Sequence, residues 1–191
     1  LIYVYTALEQ LAKGRAWRDA IARRVVLASS TRDGEEAELL AAWCAQRGAR
    51  PLLLIVPRHP QRFAAVAALV ESAGLRLARR STWDGVPPPD ALAADVWLGD
   101  SMGELPLYYA SAQVALLGGS FAPLGGQNLI EAAACGCPVL MGPHTFNFAQ
   151  AAEMAEAAGA ARRVANLREA VALACEPLAA SAQRNAIARC L

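Results

Sequence analysis

What is scarce in these 191 residues narrows the possible functions before any motif is read. No apolar run reaches the roughly 18–20 residues that span a bilayer, so no membrane span is expected, and no signal peptide is seen. No charge of one sign dominates: the formal net charge is +1, which excludes a broad nucleic-acid or anionic-lipid surface and leaves room for a small basic pocket. Metal ligands are few. Cys44, Cys135, Cys137, Cys175 and Cys190 show no zinc spacing and only two histidines could assist them, so no metal site is expected. Cys135 and Cys137 read as small residues near a helix end, and free thiols fit a reducing compartment. There is no G-x-G-x-x-G and no Gly-Lys-Ser/Thr loop, which leaves the usual dinucleotide and P-loop readings weak. His59 and His144 sit beside prolines and have no assigned nucleophile, so they read first as loop-fixing groups and triad chemistry is disfavoured.

Apolar residues are plentiful instead, at 55% against 18% charged, which calls for a packed core rather than disorder. The length suits one substantial α/β domain over residues 1–191. "RRVVLASST", "PLLLIVPRHP", "LRLARRS", "DVWLGD", "VALLGG", "PVLMG" and "ARRV" read as strands, several of them almost continuously apolar. Helical patterns alternate with them over residues 7–22, 33–48, 61–74, 104–112, 128–135 and 147–159, and again from residue 166. Asp33 and Glu36 resemble a capping box, Gly74 suits a helix C′ position, and residues 82–93 read as a loop. Such alternation predicts a Rossmann-like parallel sheet covered by helices on both faces. "LIYVYTALEQLAKG" lacks an initiator methionine and does not open on a strand, so the chain is expected to be a piece of a longer protein.

In open parallel sheets the ligand crevice lies beyond the carboxyl ends of the strands. Residues 30–35, 57–60, 99–104, 118–128 and 142–147 are polar or glycine-rich and all fall at that edge. Residues 118–143, "GGSFAPLGGQNLIEAAACGCPVLMGP", hold six glycines and three prolines around one helical run. Gly125 and Gly126 place bare backbone before a helix start, where free amides suit a phosphate; a merely tight turn is the competing reading. Asn128 and Glu131 share one face of that helix; the Glu131 carboxylate could grip vicinal ribose hydroxyls, or the two could form a capping pair. Arg58, at the end of a central strand between Pro57 and His59, suits a phosphate, a carboxylate or a base, or else a surface ion pair. In "GDSMGE" the backbone of Met102, Gly103 and Glu104 could read a base edge, or Asp100 or Ser101 could cap a helix.

Taken in order and at their spacing, "ASSTRDGEE", "VPRHPQRF", "GDSMGELPLYY" and "GGSFAPLGGQNLIEAAACGCPVLMGPHTFNF" resemble the C-terminal half of bacterial 3-deoxy-D-manno-octulosonic acid (Kdo) transferases over roughly residues 8–165. The resemblance implies one half of a two-domain B-type glycosyltransferase, in which this half holds the CMP of the donor CMP-Kdo. Pro57 and Arg58 match one CMP contact, Met102, Gly103 and Glu104 a second, and Asn128, Leu129, Ile130 and Glu131 a third. It further implies an inverting transfer of Kdo to a lipid A precursor at the cytoplasmic face of the inner membrane, with no cofactor. Acceptor groove, membrane anchor and catalytic base belong to the family's other half, so no catalytic residue is assigned here. Glu35 and Glu36 match a helix start. A UDP-sugar transferase or epimerase of the same fold, and a nucleotide-binding module inactive on its own, are the alternatives.

Overall fold

A computed structural model describes residues 2–176. Seven parallel strands form one sheet: β1 (Val25–Thr31), β2 (Leu52–Pro57), β3 (Leu77–Arg79), β4 (Val96–Leu98), β5 (Val114–Leu117), β6 (Val139–Met141) and β7 (Ala161–Arg163). Their order is β3-β4-β2-β1-β5-β6-β7. The chain therefore lays β2, the edge strand β3 and, between those two, β4 on one side of β1, and resumes at β5 on the other, which makes the β1/β5 boundary the topological switch point.

Helices cover both faces: α1 (Ile2–Ile21), α2 (Glu35–Cys44), α3 (Phe63–Ser72), α4 (Pro89–Ala93), α5 (Leu105–Ser111), α6 (Ile130–Ala134), α7 (Ala149–Ala157) and α8 (Leu167–Cys175). The strands supply side chains to each face in alternation. Val25 and Leu27 join Leu52, Leu54, Trp17 and Tyr109 in one core, while Val26 and Ala28 join Leu53, Ile55, Trp43 and Val171 in the other. Two-sided burial explains why the strand sequences are nearly unbroken apolar runs, each large side chain contributing about 1.5–3 kcal/mol on leaving water. Helix α1 crosses α5 at Gly14, where a Cβ would lie 2.4 Å from the Leu107 carbonyl oxygen. Among the described residues no helix is long and apolar enough to cross a membrane.

Several sequence expectations shift. The proposed capping box is absent: α2 starts after Gly34 in a left-handed conformation, without a side-chain cap. Asp33 instead pairs with Arg62, and the buried Glu36 accepts from the Thr31 hydroxyl and from Arg62. Residues 82–93 contain α4, begun by consecutive prolines that suit a first helical turn. The helix expected over residues 128–135 contracts to the five residues of α6, and the tail beyond residue 176 lies outside the described residues.

Candidate functional site

At the carboxyl edge of the sheet lies a cavity of about 380 Å³, within the range of small-ligand sites. The tip of β1 supplies Ser30, the tip of β2 Val56, Pro57 and Arg58, the segment after β4 residues 101–106 with Tyr108 of α5, and α6 contributes Glu131. Six of the nine sequence-derived candidates thus line one space: Pro57, Arg58, Met102, Gly103, Glu104 and Glu131. Asn128, Leu129 and Ile130 do not line it. Leu129 is 2% exposed and belongs to the core, and Ile130 is exposed beside the site.

Arg58 stands where two adjacent strand tips meet. Its amide donates to the Thr31 carbonyl at 3.0 Å, which fixes the backbone, while its side chain is exposed and makes no ion pair among the described residues. The surface ion-pair alternative is therefore not the arrangement observed. Glu131 is exposed on α6, likewise without a salt-bridge partner among the described residues. A cation and an anion line the same cavity, each available to a ligand.

Glu104 behaves differently. Its Oε1 accepts from Arg80 Nη2 at 2.8 Å, and its Oε2 accepts from the Ser101 hydroxyl and from Tyr108 at 3.3 Å. Both carboxylate oxygens are committed to the protein, so Glu104 braces the 101–104 turn rather than offering a free charge. Gly103 takes a positive φ of 76° at the turn's apex and its carbonyl accepts from Gln10 Nε2 at 2.8 Å. Met102 is 66% exposed and lines the cavity. The cap alternative for "GDSMGE" fails: Asp100 turns away to the Ser81 amide and hydroxyl and to Arg79, and α5 has no side-chain cap. Burial pushes the Asp100 carboxyl up, but those hydrogen bonds together hold it below the usual carboxylate value.

Sequence reading did not single out Arg80. It is 7% exposed, lies over the rings of Trp17 and Trp83 at 5.2 and 5.8 Å, and donates to the Trp83 carbonyl. Trp17, Trp83 and Trp97 pack on one another with centroids 5.3–6.2 Å apart. Arginine is suited to such a place because its weakly hydrated plane stacks while its fork still reaches a carboxylate. The signal available in sequence was only two adjacent arginines at a strand end.

The glycine-rich stretch resolves toward internal packing. A Cβ on Gly118 would stand 2.3 Å from the Ser30 carbonyl oxygen, and Gly119 has a φ of 70°. The Gly119 amide donates to both oxygens of Glu35, at 2.9 and 2.8 Å, and the Arg32 amide donates to the same carboxylate at 2.9 Å. An anion does sit on this loop, then, and it is the chain's own. Burial pushes the Glu35 carboxyl up despite backbone hydrogen bonds from Gly119, Arg32, Phe121 and Ala122 that pull it down. At the start of α6 the Ile130 amide is taken by Asn128 Oδ1 at 3.0 Å. Neither the alternative of a capping pair with Glu131 nor a long helix dipole forms there, and α6 is too short to act as an anion site.

No family model matches the chain. It is 54% identical over 183 residues to the 3-deoxy-D-manno-octulosonic acid transferase of Bordetella pertussis, covering 93% of this chain and 42% of that protein. With the enzyme of the same name from Haemophilus influenzae it shares 43% identity over 128 residues, 66% of this chain and 29% of that protein. The chain spans less than half the length of these relatives. Among solved structures it is similar to the C-terminal CMP-Kdo binding domain of WaaA from Acinetobacter baumannii, with a TM-score of 0.80, 30% identity, and coverage of 95% of this chain and 97% of that one.

Proposed function

The chain belongs to the 3-deoxy-D-manno-octulosonic acid transferase family, and from that premise we propose that it forms the donor side of such an enzyme, holding the cytidylate of CMP-Kdo in the cavity at the sheet's carboxyl edge. One observation carries the reading: Arg58 and Glu131, both without protein ion-pair partners among the described residues, line a single cavity with the braced turn at residues 101–104. Arg58 meets the phosphate, Glu131 the ribose hydroxyls, and backbone groups of Met102 to Glu104 the edge of the base. The phosphate role falls to the guanidinium of Arg58 rather than to the start of α6, whose Ile130 amide is already occupied.

In the full-length enzyme the sugar leaves CMP at its anomeric carbon, and charge grows on the departing phosphate. A guanidinium held on a rigid strand tip stabilises that charge as it develops, an effect worth about 2.7–4 kcal/mol for a single well-placed donor. The acceptor, a lipid A precursor, and the base that deprotonates its hydroxyl belong in this reading to the part of the enzyme outside the chain, at the cytoplasmic face of the inner membrane. No cofactor or metal is required.

The test is thermal melting with CMP and with UMP. A ligand that binds only the folded state raises the melting temperature, so CMP is expected to stabilise the chain more than UMP. Arg58→Ala, a change at an exposed side chain, is expected to leave the unliganded melt within about 0.5 kcal/mol of wild type and to abolish the CMP shift. Equal shifts with both nucleotides would favour a UDP-sugar enzyme, and an undiminished CMP shift in Arg58→Ala would remove Arg58 from the site.

A further inference from the structure

Ser30 interrupts β1 in an unusual way. Two non-glycine residues have positive φ among the described residues, Ala22 and Ser30, both at 53°. Ala22 directly follows the last turn of α1, where a left-handed residue commonly closes a helix. Ser30 lies inside a strand. The β1–β2 register runs Ser29 against Val56 and then jumps to Thr31 against Pro57, so Ser30 is the extra residue of a bulge. Bulges of this kind bend a strand and re-aim a side chain, and glycine would adopt the conformation without steric cost.

The surroundings are built to keep this conformation. Gly118, with its amide on the Ser29 carbonyl at 2.8 Å, packs so closely that the Ser30 carbonyl would collide with any Cβ there. The next residue, Thr31, holds the amide of Arg58 at 3.0 Å, which ties the bulge to the strand tip that presents the guanidinium. Ser30 itself is half-buried and lines the cavity with Arg58 and Glu131. Its hydroxyl makes no hydrogen bond among the described residues, whereas the hydroxyl of its neighbour Ser29 is engaged with the Leu116 carbonyl. A serine held in a glycine conformation, lining a cavity, with a hydroxyl left over, is a candidate for contact with a ligand.

We infer that Ser30 is a further donor-site residue, whose hydroxyl donates a hydrogen bond to the nucleotide phosphate beside Arg58. The inference rests on the donor-site reading and extends it to a residue at the tip of β1, next to the switch point of the sheet. Phosphate is the partner because Arg58 is the adjacent cation and because a hydroxyl donating to an anion gains more than one donating to a neutral oxygen.

The decisive variant is Ser30→Gly, studied in the 191-residue chain beside Ser30→Ala. Removing the side chain also removes the steric conflict, so Ser30→Gly is expected to melt at or above the wild-type temperature without ligand. Its CMP affinity by titration calorimetry is expected to fall about tenfold, with a similar fall in Ser30→Ala. Cytidine, which lacks the phosphate, is expected to bind wild type and Ser30→Gly equally. A Ser30→Gly chain that binds CMP as tightly as wild type overturns the inference while leaving the donor site standing. So does an equal loss with cytidine, or a clear drop in the unliganded melt, which would make the side chain structural. A wild-type chain that binds no CMP overturns the donor-site reading and this inference together.

Discussion

The backbone amide of Gly119 donates to both carboxylate oxygens of Glu35, at 2.9 and 2.8 Å across 84 residues of sequence. This bond ties the start of α2 to the loop leaving β5, and so joins the two halves of the sheet at its switch point. Glu35 is 4% exposed, and Gly119 and Arg32 would lose a buried acceptor without it. Glu35→Ala is expected to cost about 1–3 kcal/mol for each amide left unsatisfied, measured by chemical denaturation.

The same carboxyl gives a pH signature. Burial raises it above its ordinary value of 4.5, so in the folded chain it holds its proton more tightly than when unfolded. Its favourable contribution is complete below that ordinary value and is lost as pH rises through the folded one. The stability of wild type relative to Glu35→Gln is therefore expected to decline with rising pH above 4.5. A difference independent of pH would show that the raised value is wrong. Asp100 works in the opposite sense and at lower pH: its carboxyl is held below 3.8, so the stability it contributes is present above 3.8 and lost as pH falls through the folded value.

Arg80 and Glu104 form a nearly buried ion pair at 2.8 Å under the turn assigned to the base. Arg80→Met leaves Glu104 without its cation and is expected to cost about 3–5 kcal/mol. Arg80→Lys keeps the charge but neither the fork nor the stacking on Trp17 and Trp83, so it is expected to fold while recovering the preference for CMP over UMP only in part. Nucleotide preference is the informative measurement, because a purely structural role would weaken both nucleotides alike.

Gly118→Ala tests the close approach of the chain leaving β5 to its parallel neighbour β1. The new Cβ would stand 2.3 Å from the Ser30 carbonyl oxygen and 2.6 Å from that of Ser29, both backbone atoms that cannot swing aside. A loss of about 1–3 kcal/mol is expected on melting. An unchanged melt would mean that the bulge at Ser30 shifts freely.

The sheet was legible in sequence because strands such as Leu52–Pro57 are buried on both faces and must be apolar throughout, while the helices between them carry one apolar face. Arg58 and the turn at residues 101–104 were legible because strand ends announce themselves by a change in composition. Gly125 and Gly126 were read as bare backbone for a phosphate, yet the carboxylate this loop holds is Glu35, on the Gly119 amide, a pairing over a separation that no local pattern encodes. Helix α6 came out shorter than its apolar run suggested because Asn128 turns back on the Ile130 amide before the helix starts. Backbone conformation at Ser30 was not legible, because nothing local marks a serine in an apolar strand as the extra residue of a bulge.

Trp17, Trp83 and Trp97 make up three of the chain's four indoles, and the guanidinium stacked on two of them is fastened to the turn at the cavity. Indole emission responds to nearby charge, so the proposed donor site would have a built-in reporter in this cluster. Titration with CMP is expected to change the ultraviolet fluorescence of the unlabelled chain, and a flat titration would count against that coupling.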